Sequence, residues 1–247
     1  MFENVYSDSV RADSYAKLEF PGTYYLAYRD IPDIITKHIT GITAVDFGCG
    51  AGRSTRFLKK LGFHVCGIDI SSDMIKKAKE FDQTGHYYVV QNTDFEMLQK
   101  GATDLVLSMF TFDNIGTYDQ KLENLIGLRK LLNKEGRIIS LVSSPDIYMN
   151  EWVSFSTKDF PENKHANCGD IVKIVMLDVE DKRPVLDVIW PHEDYLDLFK
   201  KAELQLEAVY KPLGKPNENI NWVNETQIAP WVIYVLKKME GDNTSAM

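Results

Sequence analysis

The chain has 247 residues, 44% of them hydrophobic and 26% charged, enough for one α/β domain with a sizeable core and a small insertion. Its net charge of −8, with no Lys/Arg block longer than a pair, argues against a broad phosphate-binding face and so against nucleic acid as a partner. No apolar run approaches the ~20 residues of a membrane helix, and the opening "MFENVYSDSVRADSYAK" lacks the basic-then-apolar pattern of a signal peptide, so a cytoplasmic protein without a membrane partner is expected.

In chain order, "YYLAYRDIPDIITKHI" (24–39) reads as a helix broken near Pro32, and "ITAVDFG" as a short buried strand ending in glycine. "RSTRFLKKLG" places Phe57, Leu58 and Leu61 on one helix face and stops at Gly62. "HVCGIDI" is the second strand. "SSDMIKKAKEF" is a helix with Ser71 or Ser72 as its cap and Met74, Ile75 and Ala78 on its apolar side. "HYYVVQN" and "TDLVLSMF" are the third and fourth strands, "QKLENLIGLRKLLNKEG" an amphipathic helix closed by Gly136, and "RIISLVSS" the fifth strand. This alternation over 42–144 predicts a doubly wound, Rossmann-like parallel sheet with helices on both faces.

Further on, "DIVKIVMLDV" and "PVLDVIW" flank the turn residues "EDKRP" as an antiparallel hairpin. "PHEDYLDLFKKAEL" is a helix with Pro191 near its start, and "LQLEAVY" and "APWVIYVLKK" form a closing strand pair. The stretch 211–227 between them is expected to be an ordered loop. The whole is an α/β single domain with a seven-stranded, mostly parallel sheet and an antiparallel C-terminal strand pair. An N-terminal helical segment and a β-hairpin insertion complete it. Cys49, Cys66 and Cys168 are odd in number and never at CxxC spacing, so no disulfide framework is expected.

The stretch "VDFGCGAGRST" (45–55) crowds Gly48, Gly50 and Gly52 between a strand and a helix, where backbone can approach a ligand closely. Asp69 ends the next strand, 21 residues after Gly48, where a carboxylate can accept both hydroxyls of a ribose. Arg53 stands where a dinucleotide fingerprint needs its third glycine, and the G-x-x-x-x-G-K-S/T pattern is absent. Asp46, just before the loop, would repel a pyrophosphate and suits an ammonium. Together these favour a nucleoside carrying a cationic, amino-acid-like arm.

"VDFGCGAGRST" resembles the first motif of class I S-adenosylmethionine-dependent methyltransferases. "GIDISSDMIKKAKE", "NTDFEML" and "LLNKEGRIIS" resemble their later segments in the same order, over roughly residues 40–145. The resemblance implies S-adenosyl-L-methionine as cofactor. It implies that Gly48 and Gly50 lie against its methionine part, with Cys49 a small filler of the same loop. Asp46 would lie near the ammonium, and Arg53 would either bind the carboxylate or ride the helix start. Asp69 would take the ribose hydroxyls, Ile70 would pack on adenine and Met74 would add an apolar contact. Asp94 would accept from the adenine amino group, with the Phe95 N–H at the ring, although "QNTDF" lacks the family's glycine before the acid. Ser108 to Phe110 would face the sulfonium. The chain then divides into an N-terminal helical lid (1–40), a binding core (42–144), a cap or dimerisation insertion (145–190), a C-terminal completion of the sheet (191–238) and a flexible tail (239–247).

No histidine has a partner at metal-ligand spacing, so no metal is expected. His192, in "IWPHEDY", is either a general base or a residue of the helix start. Tyr15, Tyr24, Tyr25 and Tyr28 either fold over the cofactor pocket or simply pack on the sheet. After the fourth strand "SMFTFDNIGT" lacks the N/D-P-P-Y/F/W motif of base methylation and a Pro-Cys nucleophile. A small-molecule acceptor is therefore expected, in a partly aromatic pocket with Tyr24, Phe110, Asp113, Trp152 and Trp190 as candidate lining residues. A monomer or homodimer fits equally. A non-catalytic S-adenosylmethionine-binding regulatory module and an NAD-dependent oxidoreductase are the competing readings.

Overall fold

A computed structural model describes residues 20–91 and 93–239; Tyr15 and the tail residues 240–247 lie outside them. Two short helices, α1 (Thr23–Arg29) and α2 (Ile31–His38), meet at Asp30. Pro32 falls in the first turn of α2, where its missing N–H leaves no helix bond unmade. Strand and helix then alternate as expected: β1 (Thr43–Phe47), α3 (Arg53–Lys60), β2 (His64–Asp69), α4 (Ser72–Phe81), β3 (His86–Val89) and β4 (Thr103–Met109), then α5 (Tyr118–Leu131) and β5 (Leu132–Ser143). Ser71 is the cap of α4, its Oγ accepting the Met74 N–H.

The helix expected to run to Gly136 ends at Leu131, because residues 132–136 are drawn into β5. Thr103 pairs with Leu132, and after a register shift Leu105 pairs with Arg137. Gly136 lies within that strand, where a Cβ would meet the Thr103 carbonyl.

The insertion forms its own sheet, in the order β6 (Phe155–Ser156), β7 (Ile171–Met176), β8 (Val185–Val188). The hairpin was expected; its two-residue first strand was not. After α6 (His192–Lys201), β9 (Leu204–Tyr210) and β10 (Trp231–Lys238) complete the main sheet. Its order is β3-β2-β1-β4-β5-β10-β9, parallel from β3 to β5 and antiparallel beyond. The order reverses at β1, so the crevice for a ligand lies at the carboxyl ends of β1 and β4.

One core layer packs α1, α2, α3 and the insertion on one face of the sheet, and a second packs α5 and α6 on the other. Glu225, fully buried, ties the first layer together. It accepts from Thr23 Oγ1 of α1 (2.6 Å), from the N–H of Val153 in the insertion (2.8 Å), and from the N–H groups of Val223 (2.8 Å) and Asn224 (3.1 Å) in its own loop. Glu225→Gln keeps the volume but turns an NH2 group toward these donors. Urea denaturation should show a loss of about 2 kcal/mol, the worth of a charge-assisted hydrogen bond.

Candidate active site

The glycine loop leaves β1 with left-handed backbone at Gly48 (φ 69°), Gly50 (φ 51°) and Gly52 (φ 81°). The N–H groups of Gly48 and Cys49 both donate to the Ile68 carbonyl (2.8 and 3.0 Å), which pins the loop to the end of β2. A Cβ on Gly48 would overlap the Thr111 side chain, and one on Gly52 would press on the Tyr87 ring. Gly50 differs: nothing lies within 4 Å of where its Cβ would be, so it is the open crest of the loop.

Asp69 faces that crest. Its Oδ2 accepts the Gly50 N–H (2.9 Å) and its Oδ1 the Ser71 N–H (2.8 Å), and burial raises its pKa. Ile70 beside it is 57% exposed, an apolar shelf open to solvent. Asp46 is fully buried. Its Oδ2 accepts from Ser54 Oγ (2.7 Å) and Thr55 Oγ1 (2.6 Å), while Oδ1 has no partner. Burial pushes this carboxyl up to about 6, against the pull of the two hydroxyls. Ser108, at the end of β4, is likewise buried with an unpartnered Oγ.

The other candidates for the nucleoside side divide. Cys49 is buried and its thiol is pushed up, so it is no nucleophile. Met74 points into the interior at 3% exposure, unlike Ile70. Asp94 is exposed and caps its own turn, Oδ1 accepting the Glu96 N–H (3.0 Å). Phe95 is buried edge-on to Phe47. Arg53 lies over the rings of Phe20, Tyr24 and Tyr28 at 5.3–5.8 Å, so α1 is folded onto the start of α3. Tyr24 and Tyr28 are both buried there, and Tyr25 carries Arg29 over its ring.

Beyond the loop the chain turns at Phe110, whose φ of 64° is costly for any residue but glycine. Thr111 holds the turn by donating to the Phe47 carbonyl (2.9 Å). The Phe110 ring meets Trp231 (4.9 Å) and Tyr24 (5.7 Å). It opens a cavity lined by Tyr24, Phe110, Asp113, Tyr148, Asp187 and Trp231, with Phe155 and Met176 of the insertion closing it.

Tyr24, Phe110 and Asp113 thus come together. Trp152 and Trp190 do not line this cavity. Trp152 is a core residue whose Nε1 donates to the Ile147 carbonyl (2.8 Å), and Trp190 lies tilted beside Tyr118 with the Lys121 Nζ over its ring. His192 is also outside the lining. It stacks on Tyr234 and shares a hydrogen bond with that residue's hydroxyl (2.9 Å). Tyr148, Asp187 and the nearby Lys121 were not singled out from sequence. An acid inside the apolar run "VLDV" and a lysine on the stripe Lys121, Leu125, Leu128, Leu131 were the available signals.

Residues 45–140 match the family model described as "Methyltransferase domain". That span runs from β1 into β5 and holds the glycine loop and Asp69. Among curated relatives, an uncharacterized methyltransferase of Alkaliphilus oremlandii is 26% identical over 55% of this chain, and one of Geobacillus sp. is 30% identical over 45%. The matches span 61% and 52% of those relatives' own lengths. Among solved structures, the CcbJ methyltransferase of Streptomyces caelestis superposes with a TM-score of 0.67 at 15% identity, covering 97% of this chain and 100% of that one. A putative S-adenosylmethionine-dependent methyltransferase of Listeria monocytogenes gives 0.64 at 19%, covering 87% and 100%. The fold is therefore the one these methyltransferase structures have. Of the cavity residues, Tyr24, Tyr148, Asp187 and Trp231 lie outside the span of the methyltransferase domain match, so much of the cavity wall comes from parts of the chain which that match does not cover.

Proposed function

We propose that the chain is an S-adenosylmethionine-dependent methyltransferase acting on a small molecule held in the cavity behind Phe110. The residues suit the cofactor. Asp69 has lone pairs left for ribose hydroxyls, Ile70 offers an apolar surface for adenine, and the crest at Gly50 is open. The unpartnered Oδ1 of Asp46 suits a donor-bearing amino-acid arm reached through water. Bound there, the cofactor supplies a methyl group already activated by a sulfonium.

What remains for the chain is to orient an acceptor and exclude water. The observation that carries the reading is the position of the cavity. It begins at Phe110, one residue from the Thr111 side chain that packs on Gly48, so the two binding spaces meet at the end of β4. Tyr24 from α1 and Phe155 and Met176 from the insertion close it, which makes residues 145–190 an acceptor cap in this reading.

Calorimetry should show binding of S-adenosylmethionine and S-adenosylhomocysteine and none of NAD; NAD binding alone would sink the proposal. Incubation with labelled cofactor and a metabolite pool should label a small molecule; tight cofactor binding with no transfer would leave a non-catalytic module. Asp69→Ala should weaken S-adenosylhomocysteine binding by about 1.5–3 kcal/mol, the loss of a charge-assisted hydrogen bond. An unchanged affinity in the folded variant would remove Asp69 from the site.

A further inference from the structure

The cavity is rich in hydrogen-bond acceptors and poor in free donors. Asp187 is 8% exposed; its Oδ2 accepts from the Tyr148 hydroxyl (3.1 Å), while among the described residues no hydrogen bond reaches Oδ1. Asn114, another lining residue, has a buried Oδ1 with no partner. Asp113 accepts from the N–H and hydroxyl of Ser143 (3.0 Å each to Oδ2). The donors are already engaged: Tyr148 on Asp187, Ser143 on Asp113, and Tyr24 on Met176 Sδ (3.3 Å). With Asp187 as a carboxylate, a ligand that fits must donate.

Charge points the same way. Two carboxyl groups, Asp113 and Asp187, share this buried region with one ammonium, Lys121. Lys121 does not line the cavity. Its Nζ donates to the Phe112 carbonyl and lies over the rings of Trp190 (4.9 Å) and Tyr195 (5.9 Å). With both acids ionised, the region has room for one more cation. The aromatic faces of Tyr24, Phe110, Tyr148 and Trp231 suit one. A carboxylate or phosphate ligand would meet two acids.

We propose that this cavity takes a protonated amine, so that the acceptor is a small amine-bearing molecule methylated on nitrogen. The transfer step rests on the methyltransferase reading; the binding step stands apart from it.

The proton ledger closes. Burial raises the pKa of both carboxyls, and Asp187 is raised further by the charge of Asp113. The groups facing Asp187 are Asp113 from the turn after β4, Tyr148 from the turn after β5 and Lys121 from α5, with Tyr195 of α6 in the same field. Burial and the Asp113 charge favour the protonated form of Asp187 in the empty cavity; docking of the ammonium favours its carboxylate, and the proton passes to solvent. Asp187, now a carboxylate, takes one ammonium proton and leaves the nitrogen lone pair free. The N–CH3 bond forms as the methyl–sulfur bond breaks, with its electron pair left on sulfur. The product leaves as a methylammonium ion, and Asp187 is again protonated. One proton is released per turnover.

The test titrates the full chain, without cofactor, with benzylamine and its isostere benzyl alcohol, by calorimetry at pH 7 in two buffers of different ionisation enthalpy. Benzylamine should bind at least about ten-fold more tightly than the alcohol, the difference expected when a charged donor meets a buried acid. Close to one proton should pass to the buffer on binding. Asp187→Asn should reduce the preference below about three-fold and abolish the proton release. Equal affinity, binding of neither probe, or a preference that survives in Asp187→Asn would overturn the proposal. The wild-type comparison alone decides it if the variant does not fold. S-adenosylhomocysteine affinity, measured on the same preparations, separates the two readings. Cofactor binding without an amine preference overturns only the amine site. An amine preference without cofactor binding overturns only the methyltransferase reading.

Discussion

Gly48→Ala should weaken S-adenosylhomocysteine binding at least about a hundred-fold, close to 3 kcal/mol, in a chain that still folds. Two costs combine. Alanine at φ 69° loses about 1–2 kcal/mol against the right-handed region, so the loop is pulled away from its present path. The new Cβ also overlaps Oγ1 and Cγ2 of Thr111. That side chain cannot swing aside freely, because it donates to the Phe47 carbonyl and sits next to the strained Phe110. Relief of the overlap therefore shifts the end of β4, where both binding spaces meet. Adding Thr111→Gly removes the overlap but not the backbone cost, so the double variant should recover about ten-fold of the loss. Wild-type affinity in Gly48→Ala would mean that this loop does not hold the ligand.

The second large effect is on stability. Trp152→Ala should lower unfolding free energy by about 3–5 kcal/mol, the usual range for emptying a buried aromatic site. Trp152 is 2% exposed within the layer that joins α1 to the insertion, and its removal also orphans the Ile147 carbonyl. At roughly 2–4 °C per kcal/mol for a chain of this size, the melting temperature should fall by about 6–20 °C. Benzylamine binding at low temperature should change little, since Trp152 does not line the cavity. A variant with wild-type stability and lost amine binding would place Trp152 in the site instead.

The glycine loop and Asp69, the proposed cofactor half of the site, could be picked out in the sequence because they are local. Close backbone approach requires glycines at fixed spacing, and a carboxylate must end the following strand; both Gly48-to-Gly52 and Asp69 lie within one strand–helix–strand unit. The cavity proposed to hold the acceptor is assembled across the chain. Tyr24, Phe110, Tyr148, Asp187 and Trp231 come from α1, the β4 turn, the β5 turn, β8 and β10, and no spacing rule links them. Trp152 and Trp190 show the same limit from the other side, since a tryptophan in an insertion is as well used by a core as by a cavity. The fold was legible from its periods. It departed where tertiary pairing overrode them, as when residues 132–136 left the helix pattern to pair with β4. Two-residue β6 carries no period at all.

The placement of β10 has a consequence for how the nascent chain matures. β10 is the last strand among the described residues, yet it sits between β5 and β9 and brings Trp231 to the cavity wall. Its indole N–H also donates to the Thr23 carbonyl, 208 residues away (3.0 Å). On the ribosome, the edge of β5 stays without its partner until residues 231–238 have emerged, an opening for strand-to-strand association. The cofactor loop can form early, from β1 and β2 alone. The wall of the cavity cannot, so a truncated product would keep the glycine loop beside Asp69 and lack the enclosed space behind Phe110.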